Sequence, residues 1–300
     1  MDIEPEIPEG INYSKAHPLA DFGLMLLGAV GFVLVIVALA HVLAGFLVGH
    51  IPFETEKQLL ETFKLDALNV LYEDSEEFQD QQQALQDLAN RLSAHIDLPE
   101  GMVIQAHYDP SEIPNAFATL AGNIVIHQGL IDNTSSENGL AMVVAHEIAH
   151  IKHRDPMMSL GRGVAAMVGI AALSGFGDAS VMANVAGFTS AGALSQFSRD
   201  QESRADEDAV AAVLAEYGTL NGADEFFTKM LSESDASAAL GAEFFSTHPP
   251  TDERIARINS EPDSSSEPNN LPDTTRSSLR PLPKALLADS EVGTSNATED

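Results

Sequence analysis

Two histidines and a glutamate stand at the spacing that a helical metal site requires. Residues 146–150 read His-Glu-Ile-Ala-His. Residues four apart share one face of a helix, so both imidazoles can bind a single metal ion. Glu147 lies one position round the helix and can accept a proton from an attacking water molecule. The pattern predicts a zinc site with His146 and His150 as ligands and Glu147 as the general base.

The residues that flank this pattern indicate a buried helix. From Val143 to Ile151 the only acidic or basic side chain besides the histidines is Glu147, and charge returns at Lys152. The alternative interpretation is two histidines and a glutamate on a solvated helix face. That alternative does not account for an apolar flank, so we expect the helix to line a buried centre.

A third ligand has to come from elsewhere in the chain. Cysteine is absent, and His153 and Pro156 stand where the longer histidine-rich form of the motif has Gly and His. Glu202 is the best candidate, because it and Asp206 share an otherwise apolar face of a predicted helix. Two acids there cost desolvation unless they are paired or bound to metal. Asp206 is then expected to orient a ligand imidazole, and the open alternative is an acidic surface helix.

Several elements have to bring these residues together. A capping box formed by Thr134 and Glu137 is expected to open the metal-binding helix, which runs through His153. Apolar periodicity and turn residues define the other elements. Helices are predicted over residues 54–98 (two helices), 198–217 and 222–233, and strands over 102–108 and 124–127.

Residues 161–197 are rich in Gly, Ala, Val and Ser and carry little charge. A Gly-Phe-Gly-Asp sequence at 175–178 divides them into two halves, each short for a membrane span. His150 precedes this region and Glu202 follows it, so the region crosses a membrane twice or not at all. We expect it not to cross, and to form a helical hairpin packed on the domain or on the bilayer surface.

A membrane anchor is predicted near the N-terminus. Phe22–Val48 is apolar apart from His41, and it exceeds the ~20 residues that span a bilayer. The alternative is a cleaved signal peptide with its cleavage site at 38–40. The acidic segment before the span and the length of the apolar run favour an uncleaved anchor.

Composition defines the remaining parts of the chain. We expect a polar tail over 1–21, a zinc peptidase domain over 54–258 and a disordered acidic, Ser/Pro-rich tail over 259–300. The formal net charge of -30 argues against a nucleic-acid partner, which needs a basic face.

Four motifs together resemble one known family. They are AHEIAHIKHRD at 145–155, ESRAD at 202–206, Asn-Ala-Phe-Ala at 115–118 and Ser-Thr-His-Pro at 246–249. In this order and spacing they resemble the membrane-associated zinc peptidases that include HtpX, BepA and the CAAX prenyl proteases. The resemblance covers roughly residues 100–258. It implies a gluzincin-like fold of the α+β class, mainly α, with a small β-sheet beside the active-site helix and one transmembrane helix before it.

The resemblance also implies roles for residues outside the metal helices. His248 and Arg254 are expected near the metal, with Arg254 behind the ligands. His248 is expected either to stabilise the oxyanion or to bind zinc as a resting-state plug, whereas a histidine beside two prolines is by itself more often structural. The core motifs then span 115–254, and a substrate peptide is expected to bind along an edge strand formed by Asn115, Ala116, Phe117 and Ala118.

The sequence therefore predicts a zinc-dependent metalloendopeptidase with one Zn²⁺ per chain and a lipid bilayer as its setting. The single anchor departs from the several spans of HtpX and the CAAX proteases, which favours quality control of unfolded or misassembled membrane or envelope proteins. A bacterial inner membrane with a periplasmic catalytic domain is expected. The rival is a zinc-binding, membrane-tethered chaperone-like module, and an intact Glu147 argues against it because a structural site needs no base.

Overall fold

Helices dominate the part of the chain that the structure describes. The structure is a computed structural model that describes residues 18–48, 50–63, 76–174, 197–234, 248, 252–260 and 279–287. The strands are β1 (Gln105–Asp109), β2 (Ala116–Ala118) and β3 (Asn123–His127). The helices are α1 (Pro18–Val48), α2 (Phe53–Phe63), α3 (Gln79–Ser93), α4 (Gln128–Asp132), α5 (Glu137–Lys152), α6 (Asp155–Ser174), α7 (Arg199–Tyr217), α8 (Glu225–Ser234) and α9 (Asp252–Ser260).

The three described strands form one small mixed sheet in the order β1-β3-β2. β1 runs parallel to β3, with Ala106 opposite Ile124, and β2 runs antiparallel to β3, with Phe117 opposite Val125. β2 therefore lies at an edge of this sheet, and α5 packs against it. The predicted fold class, mainly helical with a small sheet beside the active-site helix, is confirmed.

Both faces of the sheet are buried, because its side chains alternate between two hydrophobic clusters. Ala116, Ala118 and Ile124 face the main core, which also contains the buried stripes of α3, α5 and α7. Phe117 and the neighbouring Val125 face the opposite way. They belong to a second cluster, called here the junction cluster, which consists of Val48, Phe117, Leu120, Val125 and Met157.

Helix α5 is the central element of the domain. Every residue from Glu137 to Ile151 is buried, and the helix packs against α3, α7 and the sheet. Its N-cap is Ser136, whose side chain accepts a hydrogen bond from the Gly139 amide at 3.2 Å. The predicted capping box at Thr134 is therefore wrong. The Thr134 hydroxyl instead donates to the Leu130 carbonyl at 2.6 Å, because the short helix α4 ends just before it.

Helix α5 ends in a tight left-handed turn. Arg154 has φ 58°, and α6 begins at the next residue, Asp155. A residue with a Cβ atom occupies this region at a cost of ~1–2 kcal/mol, so the surrounding contacts must hold it there.

Helix α1 contains one stretch, Leu19–Leu39, that is long and apolar enough to cross a membrane. No side chain of this stretch is buried, and α6 packs along α1. The helical half of 161–197 that the structure describes is thus the continuation of α6 to Ser174. The predicted hairpin depends on residues 175–196, which lie outside the described residues.

The C-terminal region differs from the prediction of disorder over 259–300. Residues 279–287 pack on the domain, with Leu282 and Leu286 buried in the main core. The prediction relied on the average composition of the tail, which is polar, and it did not consider these two leucines separately. The rest of that tail beyond Ser260 lies outside the described residues.

Candidate metal centre and active site

Four side chains from three parts of the chain converge on one point. Their donor atoms all lie within 4.8 Å of one another, and all four side chains are buried. His146 and His150 come from α5, where the i, i+4 spacing puts both rings on one face. Glu202 comes from the first turn of α7. The fourth is His248, and the members of the cluster are His146, His150, Glu202 and His248.

Two carboxylates stand behind the histidine rings. Nδ1 of His146 lies 2.9 Å from Oδ1 of Asp206, and Nδ1 of His150 lies 2.9 Å from Oδ2 of Asp155. The hydrogen bond to Asp155 favours the His150 tautomer that carries its proton on Nδ1, and the negative charge of Asp206 favours a proton on Nδ1 of His146. The two Nε2 atoms, which then present lone pairs, lie 3.0 Å apart. Two acceptors this close repel each other unless a cation lies against both, so the rings are oriented for a positive ion.

An arginine neutralises part of the acidic charge behind the cluster. Arg254 is buried on α9 and donates from Nε to Oδ2 of Asp206 at 2.9 Å. A second donor of the same guanidinium bonds Oε2 of Glu202. Arg254 therefore fixes both acids of α7, and the ring of Phe227 covers it at 5.0 Å.

The pKa shifts show that the cluster attracts positive charge. Burial alone would lower the pKa of His150, but hydrogen bonds to Asp155 and Glu202 and the charges of Glu202 and Glu147 raise it to about 9. Burial would raise the pKa of Glu202, but His248 and the α5 histidines hold it well below its usual range. The carboxylates that favour the protonated ring would equally favour a metal cation, which has to displace that proton when it binds.

Glu147 stands apart from these pairings. Its carboxylate is fully buried, and neither oxygen has a hydrogen-bond partner among the described residues. Its Oε1 atom lies 3.5 Å from Nε2 of His248. A buried carboxylate without a hydrogen bond is costly in a purely structural role. It is suited to accept a proton from a molecule that enters the site.

The residues present fit a divalent metal ion. Two imidazole nitrogens and a carboxylate oxygen form a donor set that zinc prefers, and each donor is oriented by a partner behind it. His248 adds a fourth nitrogen, with Nδ1 3.1 Å from Oε1 of Glu202 and 3.4 Å from Nε2 of His146. The side chains of this cluster can therefore supply a complete set of protein ligands for a metal ion.

Two residues of the site, Asp155 and Phe197, were not identified from the sequence. Asp155 is fully buried and also accepts a hydrogen bond from Nε2 of Gln201 at 2.6 Å. Phe197 stacks on the ring of His150 at 4.0 Å between centroids. The signal available for Asp155 was an acid shortly after the second histidine. Phe197 had no comparable signal, since its position depends on the fold.

The predicted substrate strand lies at the sheet edge, but its side chains are occupied. Asn115 is buried, and its side-chain oxygen accepts from the amide of Ala116 at 3.0 Å. Phe117 packs in the junction cluster and Ala118 in the main core. Any role of β2 in substrate binding therefore falls to its main chain.

The site combines paired histidines on one helix with an acid from a second helix, and a small sheet lies beside them. This arrangement is typical of metal-dependent peptidases. Residues 79–262 match the Peptidase family M48 model, which is more than half of the chain. The chain belongs to peptidase family M48, and it is a metallopeptidase.

Similar proteins agree with this assignment. A protease HtpX homologue from Desulfatibacillum aliphaticivorans is 30% identical over 214 residues, which cover 58% of this chain and 67% of that protein. The mitochondrial metalloendopeptidase OMA1 of Schizosaccharomyces pombe is 31% identical over 50% of this chain and 43% of its own length. The beta-barrel assembly-enhancing protease of Yersinia pestis is 32% identical over 47% of this chain and 31% of its own length. The chain thus spans less than half of the last two relatives.

Proposed function

We propose that this protein is a zinc metalloendopeptidase that hydrolyses unfolded or misassembled polypeptides at a membrane surface. The observation that carries the proposal is the convergence of His146, His150 and Glu202 beside the carboxylate of Glu147, whose oxygens have no hydrogen-bond partner among the described residues. A chaperone-like module that only binds zinc would not need a buried base.

Each residue of the centre then has a role. His146, His150 and Glu202 hold the ion, while Asp206 and Asp155 keep the two rings in the binding tautomer. When bound, zinc polarises the scissile carbonyl and acidifies water. Glu147 accepts the proton of the attacking water and later donates it to the leaving amine.

His248 is proposed as a plug that keeps the resting enzyme quiet. Its Nδ1 atom belongs to the four-donor cluster, close to both Glu202 and His146. A fourth protein ligand would take the coordination position that a catalytic zinc keeps open for water. The alternative role, donation to the oxyanion, is supported by Nε2, which faces Glu147 at 3.5 Å. The cluster geometry favours the plug.

Polypeptides are proposed to bind by extending the sheet. β2 pairs with β3 alone among the described strands and packs directly against α5, and a peptide that adds to it would have to uncover Ala116 and Ala118, which are fully buried. Strand addition depends little on side-chain sequence, which suits a peptidase of unfolded chains.

The proposed substrate class follows from the membrane association of the protein. The apolar α1 helix indicates membrane association, and one relative is named for the assembly of β-barrels. We therefore infer quality control of membrane or envelope proteins, with the catalytic domain on the periplasmic side of a bacterial inner membrane. Protease-protection mapping of a C-terminal reporter tests the side, and cytoplasmic exposure would overturn it.

The test of the whole proposal is metal-dependent cleavage by the full chain in detergent. A denatured, fluorescently labelled protein should be hydrolysed, a chelator should stop hydrolysis, and Zn²⁺ should restore it. Glu147→Gln should hold about one zinc per chain but cleave nothing, because an amide cannot accept the proton. Glu202→Gln should show the opposite result, with weakened zinc binding as its main defect. Zinc loss in Glu147→Gln, or normal zinc in Glu202→Gln, would show that these roles are wrongly divided.

A further inference from the structure

Arg154 connects the active-site helix to the membrane-proximal end of the anchor. The residue lies just after His153, the C-cap of α5, with φ 58° and its amide bonded to the Ile151 carbonyl at 2.9 Å. Its Nη1 atom donates to the carbonyl of Val48, the last residue of α1, at 2.8 Å. The same atom bonds the carbonyl of Ile51 in the turn that follows. The guanidinium thus caps the carbonyl end of the anchor helix, where a positive charge is favoured.

Glu56 carries this connection to the sheet. One of its oxygens accepts from Nε of Arg154 at 2.8 Å, and the other accepts from the amide of Ala121 at 3.1 Å. Glu56 is buried on α2, while its helix neighbours Glu54 and Lys57 form a pair at the surface. A buried acid that bridges two elements strongly constrains their positions, whereas an exposed ion pair contributes little to stability.

The turn that Glu56 holds forms one end of the edge strand. Ala121 lies between β2 and β3 with φ 62°, a backbone region that residues with a side chain rarely adopt. The adjacent Gly122 has φ 84°, and a Cβ atom there would lie 2.1 Å from the Val103 carbonyl oxygen. The turn therefore has little freedom, and its position follows that of Glu56.

The junction cluster completes the link. Phe117, in the middle of β2, packs in the same cluster as Val48 from the end of α1 and Met157 from α6. The edge strand is thus held at its turn by Glu56 and at its centre by the end of the anchor.

We propose that Arg154 and Glu56 are positioning residues that fix the edge strand β2 against the membrane-proximal end of the anchor, so that a bound polypeptide is aligned with the metal centre. The inference rests on the proposed peptidase function. Neither residue touches the reacting atoms. Their loss should loosen substrate alignment while the metal centre stays intact.

The test compares variants of the full chain in lipid nanodiscs. Glu56→Gln keeps the shape of the side chain but removes its negative charge. The amide can no longer accept hydrogen bonds from both Arg154 and Ala121. Arg154→Gly removes the guanidinium and leaves a residue that adopts positive φ without strain, so its effect reports the side chain and not the turn. Glu54→Gln, which removes the exposed pair on the same helix, is the matched control.

Three measurements decide the outcome: amide hydrogen exchange of segment 116–123, KM and kcat for a long unfolded polypeptide, and zinc content. Both variants should exchange faster in 116–123 and raise KM about tenfold, because ordering the loosened strand then costs binding free energy. Zinc content and kcat should match the parent and the control.

Unchanged exchange and unchanged KM in both variants would overturn the proposal. Zinc loss that parallels a fall in kcat would also overturn it, because the pair would then only maintain the fold. If the parent cleaves nothing, the proposed function fails, and the exchange comparison still decides whether the pair holds β2.

Discussion

At the residue scale, each histidine of α5 turns its Nδ1 atom toward a carboxylate from another helix. Asp206 approaches His146 from α7, and Asp155 approaches His150 from the first position of α6. Such partners raise the basicity of a ligand imidazole and fix its orientation. The metal site therefore depends on the packing of three helices around two rings.

Replacing Asp155 should weaken the metal site without unfolding the protein. Asp155→Asn removes the charge that holds the His150 proton on Nδ1, and we expect zinc affinity to fall ~10–100-fold. A competition titration against a chromophoric chelator measures the change. Asp208→Asn is the control, because Asp208 pairs with Lys152 and His153 near the surface and should leave affinity unchanged. Equal zinc affinity in Asp155→Asn and the parent would contradict the assignment.

The two roles considered for His248 give changes of opposite sign. If His248 is a plug, His248→Ala should raise the rate of proteolysis, including self-cleavage within the C-terminal tail. If it stabilises the oxyanion, the same change should lower kcat by roughly 10²–10³ with little effect on zinc binding. We expect the increase, measured with the labelled unfolded protein. Activity within about twofold of the parent would exclude both roles, since an oxyanion donor is worth far more than that.

The sequence alone predicted the residues that share a short motif, because spacing on one helix determines their geometry. His146, Glu147 and His150 needed only the helical period, and Glu202 with Asp206 needed one more helix. Asp155 could not be predicted in the same way. Its approach to His150 depends on the left-handed turn at Arg154, which tertiary contacts impose against the local preference.

At the element scale, the predicted helices and strands are largely those of the structure, and their boundaries are where the prediction is weakest. The predicted capping box would start α5 just after Thr134, but the helix begins at Glu137 and its cap is Ser136. A contact from α8 supports the position of this cap. The Glu225 carboxylate accepts from the amides of Ser135 at 2.9 Å and Ser136 at 2.8 Å, a pairing between residues far apart in sequence.

Glu225→Gln should therefore destabilise the active-site helix. The variant loses a negative charge at the N-terminus of α5 and one acceptor for the serine amides and hydroxyls. We expect the free energy of unfolding to fall by about 1–2 kcal/mol, measured by denaturant titration. The exposed Glu100, changed to Gln, should shift it by less than about 0.5 kcal/mol. An equal, small shift in both variants would show that the Glu225 contact is not stabilising.

At the scale of the whole molecule, the apolar helix α1 shares contacts with the metal-binding part of the chain. α6 continues from the metal-binding region and packs along α1, and Val48 at the end of α1 is buried in the junction cluster. The sequence predicted the anchor from length and apolarity. It could not predict this packing, because α1 has no polar face that would mark a partner helix.

The other terminus also packs on the domain, through residues 279–287. The Arg280 carbonyl accepts from the Glu137 amide at 2.8 Å, at the first residue of α5. The Arg280 guanidinium lies 4.7 Å from the centroid of the Tyr217 ring and pairs with Glu216 at 3.3 Å. This segment lies beyond the family match, which ends at residue 262. It therefore braces the start of the active-site helix and the end of α7 from outside the family domain.

Truncation tests whether this segment belongs to the folded domain. A chain that ends at residue 278 loses Leu282 and Leu286 from the core, and burial of a leucine is worth ~1.5–3 kcal/mol. We expect a free-energy loss of about 3 kcal/mol or more and a lower Tm, measured by thermal unfolding in detergent. A chain that ends at residue 287 keeps every described contact of the segment and should unfold at the parent's temperature. If both truncations unfold like the parent, the leucines add nothing to stability, and the tail is dispensable as its composition suggested. A loss confined to the shorter chain would extend the domain to residue 287, because only the leucine-bearing segment separates the two truncations.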